Sequence, residues 1–238
     1  MPSISLVMPA YNEADNIEPM VAEATPALEA NADSHEIIVV DDGSADDTAA
    51  VTRRVMESYP NVRLVEHPVN KGFGAAVFSG FTSAEKDWIF YTDADRQFVL
   101  SELDRFVPYM DDADLIAGYR APRQDPFMRV FYGKGWSALC TFMFGYTVRD
   151  VDCGFKLFRR EIIESLAPQI ASRGATFSIE WLVRAKRAGY RFVELPVTHQ
   201  PRVAGSQTGA NIDVIVRAFR ELMQVRIQLW REGSTDDR

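Results

Sequence analysis

Cysteine and histidine are scarce in this chain, and their placement excludes several classes of site. Cys140 and Cys153 form no C-x-x-C pair, and His35, His67 and His199 are scattered. Neither a zinc site nor a disulfide framework is expected, and the usage fits a reducing compartment. Positive charge is short as well: 26 lysines and arginines stand against 34 aspartates and glutamates, a formal net charge of −8. That balance argues against bulk nucleic-acid binding but leaves room for a local basic pocket. A long apolar run is also missing. The longest uncharged stretch, residues 135–148, has 14 residues, whereas a membrane-spanning helix needs roughly 20. The first residues lead into a strand-like segment without a basic leader, so no signal peptide is expected. There is no internal repeat or low-complexity tract.

What is present suits one globular domain with a full core: 238 residues, 47% hydrophobic and 25% charged. The first half alternates two periodicities. "SISLVMP", "EIIVVDDGS", "NVRLVEH" and "DWIFYTDAD" read as strands. The stretch after "AYNEADN" through Leu28, "SADDTAAVTRRVMESY" and the segment opened by "NKGFGAA" read as helices. Such alternation predicts βαβ units and a mostly parallel sheet flanked by helices. In the second half, "ADLIAGYR", "VDCGFKLF" and "RFVELPVTH" read as strands, and "PFMRVFYGKGWSALCTFMFGY" and "FSIEWLVRAKRAG" as helices. A C-terminal amphipathic helix is expected from Ile212 to Trp230. It has three available fates: covering the sheet, meeting a second subunit, or lying on an anionic membrane. Residues 1–231 are read as one catalytic domain, with a donor half to about 110 and an acceptor half beyond it. Residues 232–238 are read as a disordered tail.

Ligands of parallel sheets sit beyond the carboxyl ends of the strands. Three such ends carry acids here: Glu13, then Asp41 and Asp42, then Asp93 and Asp95. The D-x-D of Asp93 and Asp95 suits a hard divalent cation, Mg²⁺ or Mn²⁺, which keeps part of its shell for phosphate and water. A D-x-D alone also occurs as a solvated acidic turn. In "VVDDGSADDT" the acids can take hydrogen bonds from a base or ribose. Helix capping, with Ser44 and the acids at the helix start, accounts for Asp46 and Asp47. "NKGFGAA" is a poor dinucleotide fingerprint, because it follows the third strand and lacks the third glycine.

Eight segments in order, "MPAYNEADNI", "EIIVVDDGSADDT", "NKGFGAA", "YTDADRQ", "AGYR", "RDVDCGFKLF", "FSIEWLVRAKRAGY" and "VTHQPRVAGS", resemble the family-2 glycosyltransferases of the GT-A fold. The resemblance is strongest to the dolichol-phosphate mannosyltransferase-like branch, which glycosylates polyprenyl phosphates, and it spans about residues 3 to 225. It implies that Pro9, Tyr11 and Glu13 line a nucleotide pocket, with Asp41 and Asp42 on base or ribose and Lys71 near phosphate. It implies that Asp93, Ala94 and Asp95 hold the ribose, diphosphate and metal, with Gln97 completing the metal site. Arg120 would reach sugar or phosphates. Arg129 and Lys134 would receive the acceptor's phosphate, Asp150 matches an acid of the family's D-x-x-S-G-F string, and Arg202 sits in the loop that closes over the diphosphate. The implied partners are a GDP- or UDP-linked hexose and a polyprenyl phosphate, with inversion at the sugar and peripheral action at the cytosolic face of a membrane.

Two departures stand out. Gln207 and Thr208 replace the serine and lysine of the closing loop's G-x-S-K, and Cys153 replaces a serine. The membrane helices that follow the catalytic domain in many relatives are not seen. The altered loop favours a rival reading in which the acceptor is soluble. A sugar-1-phosphate nucleotidyltransferase would need a glycine- and arginine-rich loop after the first strand, where "PAYNEADN" stands. A non-catalytic nucleotide-sugar binder would have little need of the acid pair. Glu180 has either a site role or an i,i+4 pairing with Arg184. His199 is either a packed strand-end residue or part of the site. Trp136, Phe142 and Phe144 belong to the core or lie near the membrane. The oligomeric state, homo-oligomer included, is left open.

Overall fold

Runs of β-branched and aromatic residues become the strands, and a period of two decides which face each side chain takes. The computed structural model describes residues 1–121, 127–201 and 212–233, the side chains of 127–131, 212–218 and 233 excepted. Seven strands form one sheet: β1 (Ser3–Ala10), β2 (Ser34–Asp41), β3 (Val62–Glu66), β4 (Trp88–Thr92), β5 (Leu115–Arg120), β6 (Phe155–Arg159) and β7 (Phe192–Val197). Their order is β3-β2-β1-β4-β6-β5-β7. Pairings β1–β2, β1–β4, β2–β3 and β5–β7 are parallel, and β6 runs antiparallel to both β4 and β5. The α/β, mostly parallel architecture matches the expectation, and each expected strand is present.

The helices are α1 (Ala14–Asn31), α2 (Thr48–Ser58), α3 (Phe73–Ser83), α4 (Phe127–Phe144), α5 (Arg160–Leu166), α6 (Phe177–Arg187) and α7 (Ile212–Gly233). Alternation along β1 splits the core in two. Ile4, Leu6 and Met8 pack with Ile17, Met20, Val21 and Leu28 of α1 and Val55 of α2. Val7, on the other face, packs with Phe81 of α3, Trp181 of α6 and Leu222, Val225 and Leu229 of α7. Pro19 and Pro26 lie inside α1. Each lacks the N–H a helix needs, so the buried apolar stripe, rather than local propensity, must carry this helix. Among the described residues, no helix is long and apolar enough to cross a membrane.

Two features depart from the sequence reading. The 3₁₀ turns Leu100–Arg105 and Val107–Tyr109 and the short helix α5 were not separated from their surroundings, because two turns or fewer give periodicity little to register. The strand expected from Val151 starts at Phe155, since residues 150–153 form a turn in which Cys153 N–H donates to Asp150 O at 3.2 Å.

Glu180 resolves toward its pairing role. It is fully buried and accepts from Ala171 N–H (3.1 Å), Ser172 N–H (2.7 Å) and Arg184 Nε (3.0 Å). Arg184 Nη1 in turn donates to Glu232 at 2.7 Å. Glu232, expected in a tail, is therefore part of α7 and ties that helix to α6.

Removing one partner of a buried ion pair strands the other, so Arg184→Leu should lower the unfolding free energy by about 3 kcal/mol; an unchanged denaturation midpoint would contradict this. Hydrogen bonds from Arg184 hold Glu232 below the usual glutamate range against its partial burial. For Asp114, burial works upward, but the hydrogen bonds and charge of Arg191, with Arg159, outweigh it and lower the pKa. Groups depressed in the folded state stabilise it above their unfolded pKa and lose that contribution as pH falls through the folded value. Melting temperature should thus hold at neutral pH and fall below about pH 4, less steeply in Asp114→Asn.

Candidate active site

The rim of the sheet forms where adjacent parallel strands end together. β2, β1 and β4 are neighbours, Ala10 pairs with Asp41, and Val7 pairs with Tyr91. Pro9, Asp41 and Asp93 therefore stand at about one level. Chain order reverses between β1 and β4, which is where doubly wound sheets open a ligand crevice.

The turns after β1 and β2 are laced together. Asn12 adopts a left-handed backbone, φ 57°, which a short amide side chain tolerates. Its N–H donates to Ser44 Oγ (2.9 Å), and its Oδ1 accepts from Ala45 N–H (2.8 Å). Glu13 N–H donates to Thr48 Oγ1 at 2.9 Å, and the buried Glu13 carboxylate accepts from Asn16 Nδ2 at 2.5 Å. Ser44 does not cap α2 as expected; its N–H (3.1 Å) and its hydroxyl both donate to Asp41 Oδ1. Asp46 does cap, accepting from Thr48 N–H at 3.0 Å and also from Ala14 N–H of α1 at 3.2 Å. Burial works to raise its pKa, but these bonds and that of the Thr48 hydroxyl bring it below the ordinary value. Asp47 makes no side-chain cap bond. Tyr11 is exposed at the front of this frame.

Asp42 is engaged differently from Asp41. Its Oδ1 lies 2.6 Å from His67 Nδ1 and accepts from Lys71 N–H at 3.0 Å, and its Oδ2 accepts from Gly72 N–H at 2.8 Å. His67 Nε2 meets Ser79 Oγ at 2.9 Å. The carboxylate thus takes the place at the start of α3 where a phosphate is often found, and it fixes the loop that carries the exposed Lys71. His67, which seemed merely scattered, is a buried link in this lacing.

At the end of β4, Asp93 and Asp95 are half-buried, and Ala94 between them is buried. Tyr91 Oη donates to Asp93 Oδ1 at 2.8 Å; burial and then the Asp93 charge push the tyrosine pKa well up. Arg96 has φ 60°, and the turn lets Gln97 N–H donate to Asp95 Oδ1 at 3.2 Å. Gln97 is buried, and its Nε2 donates to Gln200 O at 3.0 Å. The bridge between Phe98 and His199 brings the buried His199 beside this strand end.

Asp93 lies against Gly154, where a Cβ would sit 2.2 Å from Asp93 Oδ2. Just beyond, Lys156 is buried. Its Nζ donates to Val151 O (3.1 Å) and Cys153 O. Burial lowers its pKa, and Cys153, Asp150, Asp152 and Asp93 oppose that. Burial likewise pushes the Cys153 thiol up to about 12, so it is protonated at neutral pH.

Arg120 and Asp150 come together as a buried bidentate pair, Nε to Oδ2 at 2.8 Å and Nη2 to Oδ1 at 2.7 Å. Burial opposes the arginine's charge, but the Asp150 hydrogen bonds and charge overcome it and raise the pKa. Lys134 is exposed on α4. Arg129 lies in the same helix, its side chain outside the described residues, as are Arg202, Gln207 and Thr208.

Among the described residues, no cluster of three or more His, Cys, Asp or Glu side chains forms a ready-made metal cage. Two half-buried carboxylates one residue apart still fit a Mg²⁺ or Mn²⁺ that retains water and phosphate oxygens.

Residues 5–167 match Glycosyl transferase family 2. The chain is 33% identical over 211 residues to a dolichyl-phosphate beta-glucosyltransferase, ALG5C, of Trichomonas vaginalis, covering 81% of this chain and 62% of that one. It is 31% identical over 225 residues to the polyprenol monophosphomannose synthase of Mycolicibacterium smegmatis, covering 87% and 82%. The chain spans less than two thirds of the first of these relatives. In fold it resembles the glucosyl-3-phosphoglycerate synthase of Mycobacterium tuberculosis, solved with Mn²⁺, uridine diphosphate and glucosyl-3-phosphoglycerate. The TM-score is 0.69 at 20% identity, over 94% of this chain and 78% of that one.

Gly154→Ala should drive its methyl into the Asp93 carboxylate. A crystal structure should show Asp93 displaced, and denaturation should register roughly 1–3 kcal/mol of overpacking. An undisturbed Asp93 at unchanged stability would refute the contact.

Proposed function

The chain belongs to glycosyl transferase family 2, and on that premise we propose that it transfers a hexose, with inversion, from a nucleotide sugar to a polyprenyl phosphate at the cytosolic face of a membrane. The observation that carries this reading is the rim itself: Asp41, Asp93 and Asp95 at the ends of β2 and β4, the two neighbours of β1, with Pro9 of β1 between them. The names of the relatives that glycosylate dolichyl and polyprenyl phosphates support the acceptor class.

In this reading Asp41, oriented by Ser44, accepts from base or ribose, and Asp42 holds the β3–α3 loop so that Lys71 borders the phosphates. Asp93 and Asp95 hold a divalent cation, and when bound it supplies charge neutralisation to the departing diphosphate. Gln97 offers its amide oxygen to that site, since its nitrogen is committed to Gln200. A phosphate oxygen of the acceptor forms the new bond to the sugar's anomeric carbon. The bond from that carbon to the diphosphate breaks, and the electron pair leaves with the nucleoside diphosphate. The nucleophile is already anionic, so no general base is required. The barrier lies in bringing two anions together, which Arg129, Lys134 and Arg202 relieve by charge-assisted hydrogen bonds. Arg120, held by Asp150, presents its guanidinium edge in a fixed orientation toward the sugar.

A second reading keeps the donor and changes the acceptor to a soluble phosphorylated molecule. It is favoured by the resemblance in fold to a protein solved with phosphoglyceric acid. A short-chain prenyl phosphate and 3-phosphoglycerate, offered with each donor, separate the two.

Calorimetry with UDP, GDP and their hexose conjugates, with and without Mn²⁺, tests the donor site. One nucleotide should bind in a metal-dependent manner, and chelation should abolish transfer. Asp95→Ala should lower kcat/KM at least a hundredfold, about 3 kcal/mol. Metal-independent binding that survives in Asp95→Ala would overturn the reading.

A further inference from the structure

Helix α7 has two apolar faces. Leu222, Val225 and Leu229 are buried against the sheet. Its acids with described side chains also turn to the body of the protein: Glu221 accepts from Thr176 Oγ1 at 3.2 Å, and Glu232 accepts from Arg184. These contacts satisfy the helix as a cover for the sheet. A second stripe remains, Phe219 (49% exposed), Met223 (39%), Ile227 (45%) and Trp230 (67%). Spacings of four, four and three residues place them on one side of the helix. Exposed Arg220 and Arg226 flank that stripe on opposite sides. A chain with a net charge of −8 has thus set an apolar stripe between arginines, while the helix's acids with described side chains face inward.

We infer that the outer face of α7 docks the protein on an anionic lipid bilayer. The four apolar side chains enter the boundary between headgroups and acyl chains, and Arg220 and Arg226 meet lipid phosphates. Trp230 suits that depth, with an apolar ring and one N–H donor. Charge selects this occupant over a second copy of the chain, since a two-fold interface through the same face would bring four arginines together with no described acid on that face to offset them. The inference deepens the acceptor reading above, because docking would bring the rim to a lipid-borne phosphate, but its test reads binding alone.

The full chain, without nucleotide or prenyl phosphate, is sedimented with phosphatidylcholine vesicles with and without phosphatidylglycerol while tryptophan emission is recorded. The expected result is binding to the anionic vesicles only, weakened by salt, with a blue shift that Trp230→Ser removes. Arg220→Glu/Arg226→Glu should lower partitioning about tenfold or more while leaving the thermal melt unchanged. Failure to bind anionic vesicles, or equal binding by the charge-reversed variant, overturns the proposal. So does a dimer, seen by light scattering, that Trp230→Ser dissolves. Transfer to a detergent-dispersed short-chain prenyl phosphate keeps the two readings apart. Transfer without vesicle docking sinks the docking alone, and docking without transfer sinks the acceptor reading alone.

Discussion

Mutual repulsion of carboxylates is the constraint around which this rim is arranged. Glu13, Asp41, Asp42, Asp93 and Asp95 all sit at the ends of three neighbouring strands, where like charges in a partly desolvated place raise the energy of the fold. Each of these acids receives its own donor. Asparagine serves Glu13, serine serves Asp41, a histidine and two backbone amides serve Asp42, tyrosine serves Asp93, and a turn amide serves Asp95. Among the described residues, the loops after β2, β3 and β4 each deliver one of those donors. Hydrogen bonds of this kind pre-organise a site, so that less of a ligand's binding energy is drained into ordering loops.

Cations in the neighbourhood are spent in two ways. Arg120 neutralises Asp150 directly, through a bidentate contact. Lys156 instead gives its bonds to carbonyl oxygens of the turn before β6 and acts on the surrounding acids through its charge. A buried lysine inside a strand has no obvious reason to be there until the acids above it are counted.

The strands were legible because both faces of a parallel sheet are covered, which leaves nearly continuous apolar runs such as "EIIVV". The convergence of Asp41 and Asp93 was legible for the same reason, since parallel neighbours end at one rim. What escaped was pairing between residues far apart in the chain. Asp42 and His67 are 25 positions apart, and no periodicity links them. Gly154 carries no signal of its own in the sequence, and the Asp93 carboxylate beside it accounts for the missing side chain. In α7 an amphipathic helix implies one apolar side through Phe219, Leu222, Met223, Ile227 and Trp230. The structure keeps only Leu222 of these inside, joined by Val225 and Leu229, and leaves the other four outside, a division that depends on where the helix lands.

Because β6 runs against its neighbours, its start, not its end, lies at the rim. On β1, β2 and β4 the rim residues lie in the last positions of the strand or just after it, so the strand register is set before they are reached. Here Asp150 and Gly154 precede the strand, and Lys156 follows within it. An insertion or deletion across 150–154 that slid β6 by one residue would exchange inward and outward positions along it. It would pull Gly154 off Asp93 and turn Lys156 toward the opposite core. That stretch is therefore held in length by contacts at both of its ends, Asp150 to Arg120 and Gly154 to Asp93.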